Sequence, residues 1–196
     1  SYKQALKIKP DYADAYYNMG FALQDKGDRD AAVDSYQRAL KIKPDYAEAH
    51  FNMGVALQEK SDFDAAIDSY KQVLKIKPDY AEAYCNMGAA LKDKGDLEAA
   101  IDSYNQAINF KPEYQLARTQ KLHQQAIICD WTAIQEDRGY IPDLGISTQD
   151  IDPLAILSLE DAPGRHRLRS ELYAKKNFKQ KPIPLPSRPK TKPKRL

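Results

Sequence analysis

Side chains able to do chemistry are sparse in this chain of 196 residues. The histidines, His50, His123 and His166, stand at no ligand or triad spacing, and Cys85 and Cys129 form no metal or redox pair. No phosphate loop, nucleophile elbow or HExxH motif occurs. No catalytic residue, metal or cofactor is therefore expected. What does recur is an amide: Asn18, Asn52 and Asn86 lie 34 residues apart. A carboxamide offers both donors and an acceptor. A row of such amides can grip the backbone of an extended peptide without reading its sequence, or it can bond the neighbouring helix. Both readings are open at this level.

The amides belong to a longer repeat. Tyr16-Tyr17-Asn18-Met19-Gly20 returns as His50-Phe51-Asn52-Met53-Gly54 and again as Tyr84-Cys85-Asn86-Met87-Gly88. The period implies stacked helix–turn–helix units, and such stacks present an extended concave surface. Within the first unit, Tyr16, Met19, Ala22 and Leu23 are spaced as one helical face and predict a helix A from Ala13 to about Lys26. Gly27 can supply the left-handed residue that ends it, and Asp30 is read as the N-cap of helix B. Helix B turns Ala32, Val33, Tyr36, Ala39 and Leu40 inward, and Pro44 stops it because the residue before a proline avoids helical angles. Small residues at Gly20 and Ala32 let the two helices approach closely. Tyr36, Tyr70 and Tyr104 are read as core.

This pattern resembles the tetratricopeptide repeat closely. That family has a glycine midway along helix A, an early and a late alanine in helix B, and a proline after it. These fall on Gly20, Ala32, Ala39 and Pro44, and again on Gly88, Ala100, Ala107 and Pro112. The second unit departs at Ser61, in place of the loop glycine, and at Val73, in place of the late alanine. A left-handed Ser61 would cost roughly 1 kcal/mol relative to glycine. The expected fold is thus an all-α superhelix, a helix–turn–helix solenoid with extra C-terminal helices and a Pro/Lys-rich tail. Its parts are a partial repeat at 1–12, full repeats at 13–46, 47–80 and 81–114, a degenerate capping helix at 115–131, a helical linker region at 132–180 and a basic Pro-rich linker at 181–196. The opening Ser1 to Pro10 nearly copies Ser35 to Pro44, so the chain is expected to start within a repeat.

Position along helix A assigns the inner groove. Its expected lining is Asn18, Asn52 and Asn86 with Tyr17, Phe51, Asp14, Glu48, Glu82 and Cys85, of which Cys85 reads as a small packing residue. Acids and aromatics stand where a groove that clamps an acidic peptide terminus needs lysine and arginine. A chaperone-adaptor role is therefore not expected. The formal net charge of +2 hides an asymmetry. From Lys175 to Leu196 there are nine bases and no acids, which leaves 21 bases against 28 acids, or −7, for residues 1–174. An acidic repeat body argues against a nucleic-acid ligand. The tail has one aromatic, Phe178, and reads as a solvated, semi-rigid linker. No long apolar run predicts a membrane span, and a reduced, cytoplasmic setting is expected.

Beyond the repeats, Cys129-Asp130-Trp131, then Asp152-Pro153-Leu154-Ala155-Ile156-Leu157-Ser158-Leu159-Glu160-Asp161-Ala162-Pro163, then Arg169-Ser170-Glu171-Leu172-Tyr173-Ala174 follow one another. This order resembles the segment that joins the repeats to the catalytic region in O-linked N-acetylglucosamine transferases and SPINDLY-type proteins. It departs from that pattern at Leu154, where an aromatic is usual. The resemblance implies a module that recruits acceptor proteins for a protein O-glycosyltransferase whose catalytic lobes are absent here. It also implies that Asn18, Asn52 and Asn86 hold the acceptor, with Gln120 interrupting the ladder. Two other readings stand beside it: a free-standing scaffold with no enzymatic role, and self-association through the apolar end faces of the stack, giving a homo-dimer.

Overall fold

The structure, a computed structural model, describes residues 12–130, 138–143 and 163–177, together with Thr132 and Ile134. Among them the chain is entirely helical. Three hairpins follow one another: α1 (Ala13–Asp25) with α2 (Arg29–Ile42), α3 (Ala47–Glu59) with α4 (Phe63–Ile76), and α5 (Ala81–Lys94) with α6 (Leu97–Phe110). Then come α7 (Gln115–Ile127), a 3-10 turn (Arg138–Asp143) and α8 (Pro163–Asn177). The first expected repeat and its two successors are therefore present as helix pairs. Of the extra C-terminal helices expected, one is found as α8 at Pro163–Asn177. The segment around 152–159, most of the partial first repeat and the basic tail lie outside the described residues.

Each turn within a hairpin is built the same way. In the first, Gly27 adopts φ +82°, and the Asp28 N–H reaches back to the Leu23 carbonyl at 3.0 Å. This closes the helix with a left-handed residue. Ser61, at φ 62°, does the same without the freedom of glycine, as does Cys129, at φ 59°, after α7. The Asp130 N–H bonds the Gln125 carbonyl at 2.9 Å, so the fourth unit keeps the turn although its helix has lost the Asn-Met-Gly core. One expectation is corrected here. Asp28, not Asp30, caps helix B: its carboxylate accepts from the Ala31 N–H at 3.2 Å, and Asp62 and Asp96 repeat the bond. The residue that completes the turn serves at once as the cap of the next helix, which leaves Asp30 in the first turn of helix B.

Packing inside each pair centres on one tyrosine of helix B. Tyr36, Tyr70 and Tyr104 are completely buried. Each ring lies against the glycine of helix A. A β-carbon on Gly20, Gly54 or Gly88 would come within 2.7 Å of it. The close approach expected of Gly20 is thus made to the Tyr36 ring. Ala32, Val33 and Ala39 are buried as expected. Pairs stack onto pairs, and the A helices α1, α3, α5 and α7 also touch one another in succession. The A helices therefore line the inner side of the stack. Beyond it, the fully buried Arg169 of α8 donates to the Ile141 and Pro142 carbonyls at 2.8 and 3.1 Å. The Arg118 guanidinium of α7 lies 3.8 Å from the centre of the Tyr140 ring. These contacts tie α8 to the 3-10 turn and the turn to the fourth unit.

Candidate functional site: the inner groove

The groove residues do not all face a ligand in the same way. Asn18 is exposed. Asn52 is half-buried and donates to the Tyr17 hydroxyl of the preceding unit at 3.0 Å. Asn86 has Phe51 at the matching position, which has no hydroxyl, and its amide lies by the Tyr70 hydroxyl instead. Two of the three ladder amides thus have an internal partner. Tyr17 and Phe51 are half-buried in ring clusters. Tyr17 lies 6.1 Å from Tyr36 and 5.0 Å from Tyr46, and Phe51 lies 5.9 Å from Tyr70 and 5.3 Å from Tyr80. Cys85, the third residue of that row, is 3% exposed and belongs to the core, as the packing reading of it expects. Burial pushes its thiol up to about 11.

The acids of the groove are also engaged. Glu48 meets the Lys77 ammonium at 2.5 Å and Glu82 meets Lys111 at 2.9 Å. The bond from Lys77 holds the Glu48 carboxyl below its ordinary range. Each lysine also lies near the ring of the tyrosine that precedes the next A helix, Lys77 by Tyr80 and Lys111 by Tyr114. Burial, then the nearby Asp14 carboxylate, pushes Tyr46 up to about 12. At the end of helix A, Glu59 pairs with Arg29 at 2.9 Å, and Asp93 takes a bond from Gln58 at 3.2 Å. The groove carboxylates Glu48 and Glu82 are therefore each paired with a lysine of their own unit, while the repeat body keeps its net negative charge.

Two features escaped the sequence reading. Phe21, one turn beyond Asn18, is 51% exposed and offers the groove an apolar face. Gln24 and Gln58 accept from the hydroxyls of Tyr36 and Tyr70 at 3.0 and 3.3 Å. At the same place in the third unit stands Lys92, which turns to Asp93 at 3.0 Å and leaves the buried Tyr104 hydroxyl without a partner. The recurrence of glutamine at 24 and 58, and its loss at 92, was visible in the 34-residue register.

Models of the TPR repeat match residues 1–27, 23–61 and 56–95, and a model of the tetratricopeptide repeat matches 81–114. The chain belongs to the tetratricopeptide-repeat family and is an interaction scaffold of that class. No curated protein matches it in sequence. Among solved structures it is similar to MamA residues 41 to the end from Desulfovibrio magneticus RS-1, with 23% identity and a TM-score of 0.69 over 76% of this chain and 84% of that one. A crystal structure of MamA is similar at 20% identity and a TM-score of 0.63, covering 89% and 86%. The first TPR of Spaghetti (RPAP3), bound to the HSP90 peptide SRMEEVD, is similar at 20% identity and a TM-score of 0.58, covering 60% and 93%. At these identities the likeness is one of fold. None of these matches connects the chain with a glycosyltransferase. Among the described residues no helix is long and apolar enough to cross a membrane, and no cluster of metal-ligating side chains occurs.

Proposed function

We propose that the inner face of the A helices binds an extended segment of another protein, held by backbone hydrogen bonds and one apolar anchor. The observation that carries this reading is the juxtaposition of the open Asn18 amide and the exposed Phe21 ring at one end of the groove. Asn52 and Asn86 continue the row. They act first as struts between helices and offer the peptide whatever bonding capacity remains on each amide. Because the groove acids are paired with lysines, neither a strongly acidic nor a strongly basic segment is favoured. Apolar contact near Phe21 sets the affinity.

A library of extended peptides, screened by fluorescence anisotropy, tests the reading. Exchanging Phe21 for alanine weakens a bound peptide about tenfold, the effect of truncating one anchor residue, while circular dichroism stays unchanged. Affinity that ignores this substitution overturns the anchor, and absence of any groove-bound peptide overturns the function. Changing Asn18, Asn52 and Asn86 together to alanine also weakens binding; unaltered binding removes the ladder from the proposal. The narrower reading, recruitment of acceptors for a protein O-glycosyltransferase, is supported by the residue order of 129–174 alone. It predicts that peptides selected by the groove come from proteins bearing O-linked sugar.

A further inference from the structure

The joint between the third unit and α7 differs from the two joints before it. In the 34-residue register, Gln124 stands where the earlier units have Ala22, Ala56 and Ala90, and Gln125 where they have Leu23, Leu57 and Leu91. Ala56, Ala90 and Leu57 are buried, and Leu23 and Leu91 pack against the core. The two glutamines are also buried, at 0% and 3% exposure, yet the Oε1 of each has no hydrogen-bond partner. The same is true of the buried Thr119 hydroxyl on α7. It is true again of the Tyr104 hydroxyl, whose ring shares a core cluster with Ala117 of α7. Closed off from solvent, these four atoms lose their bonds to water and gain none in return. Such groups are costly and rare in folded proteins.

Polar links between units lapse at the same joint. Lys60 pairs with Asp30 across the first joint, and Lys94 with Asp64 across the second at 2.6 Å. At the third, Ile128 takes the place of the lysine. Gln58 bonds Asp93 across the second joint at 3.2 Å, and Ile127 takes the place of that aspartate in α7. A cleft of about 450 Å³ runs along the seam, between Lys92 and Leu97 on one side and Gln120, His123 and Ile127 on the other.

We propose that this joint is a built-in gate: α7 opens away from the third unit while the three hairpins stay stacked, and its opening removes the far wall of the groove. In a stack of repeats, stability is close to a sum of unit terms and neighbour-interface terms. The least favourable interface therefore opens first, well below the cost of unfolding the whole. Opening hydrates the orphaned atoms, which lowers its cost further. The 3-10 turn and α8 travel with α7, since Arg118 ties the turn to α7 and Arg169 ties α8 to the turn. The first two joints keep their apolar seams and their cross-unit pairs and stay closed. The gate needs no peptide, so it stands or falls apart from the groove reading.

The test is native-state amide hydrogen exchange of the full chain without denaturant. The amides of α7 are expected to be protected at least about tenfold less than those of α5 and α6, through an opening that leaves α3 and α4 closed. The end of any stack frays, so a variant separates fraying from the gate. Gln124→Ala with Gln125→Leu restores the residues of the earlier units. It is expected to raise protection in α7 about tenfold, the effect of removing buried unpaired acceptors, and to leave α1 to α4 unchanged. Protection in α7 that the double variant does not raise means that fraying alone accounts for it, and the proposal falls. Wild-type protection equal in α5, α6 and α7 overturns it too, and that measurement decides even where the variant folds poorly.

Discussion

In the first two units a glutamine near the end of helix A accepts the bond of the core tyrosine; in the third, Lys92 does not. Restoring the pattern with Lys92→Gln gives the Tyr104 hydroxyl a partner and is expected to raise stability by about 1 kcal/mol. Urea unfolding measures this, and an unchanged midpoint means that the hydroxyl is satisfied another way. The glycine of helix A makes the opposite point. Gly54→Ala places a carbon 2.7 Å from a buried ring, and such overpacking costs about 1–3 kcal/mol. Thermal melts of the two variants should therefore move in opposite directions. That Gly20, Gly54 and Gly88 mattered was legible from their spacing. That they face Tyr36, Tyr70 and Tyr104 was not, because the partner lies across the hairpin.

At the scale of elements, the helices were legible nearly to the residue, and the turns less so. Both Asp28 and Asp30 are capping types, separated by a single residue. The register was decided by the left-handed Gly27, which places Asp28 at the cap. A signal did exist: aspartate stands at 28, 62 and 96 in all three units, whereas 30, 64 and 98 end in a glutamate. The left-handed serine of the second turn yields a prediction of its own. Ser61→Gly relieves backbone strain and is expected to raise stability by up to about 1 kcal/mol, read as a higher urea midpoint. A lower midpoint would mean that the added freedom of the unfolded chain outweighs the relief.

Across the whole molecule, stability is carried by neighbour-to-neighbour contacts, and part of it is electrostatic. Glu48 and Glu82 bond lysines that end their own units, and Arg29–Glu59 and Lys94–Asp64 link one unit to the next. The bond from Lys77 lowers the Glu48 pKa in the folded state. Its contribution is therefore present above the ordinary value of 4.5 and is lost as the pH falls through the lowered folded value. The thermal midpoint is expected to drop in that acid window, and Lys77→Met should flatten the drop. A variant with the same acid profile as the wild type would remove this pair from the account. Since these groups are exposed, each pair contributes little, and salt should weaken them.

The sequence by itself determined the repeat, its period, its helices and the buried tyrosines, because these follow from local spacing repeated every 34 residues. It also marked the row of Asn18, Asn52 and Asn86. Only the tertiary structure decided what that row does. The partner of Asn52 is a hydroxyl in the preceding unit, and the partner of Glu48 is a lysine 29 residues away. Helix periodicity says which face a side chain occupies, not whether a neighbour has already taken its hydrogen bonds. The same holds for Thr119 and Gln124, which look like ordinary polar residues of a decayed repeat until packing buries them beside a cleft.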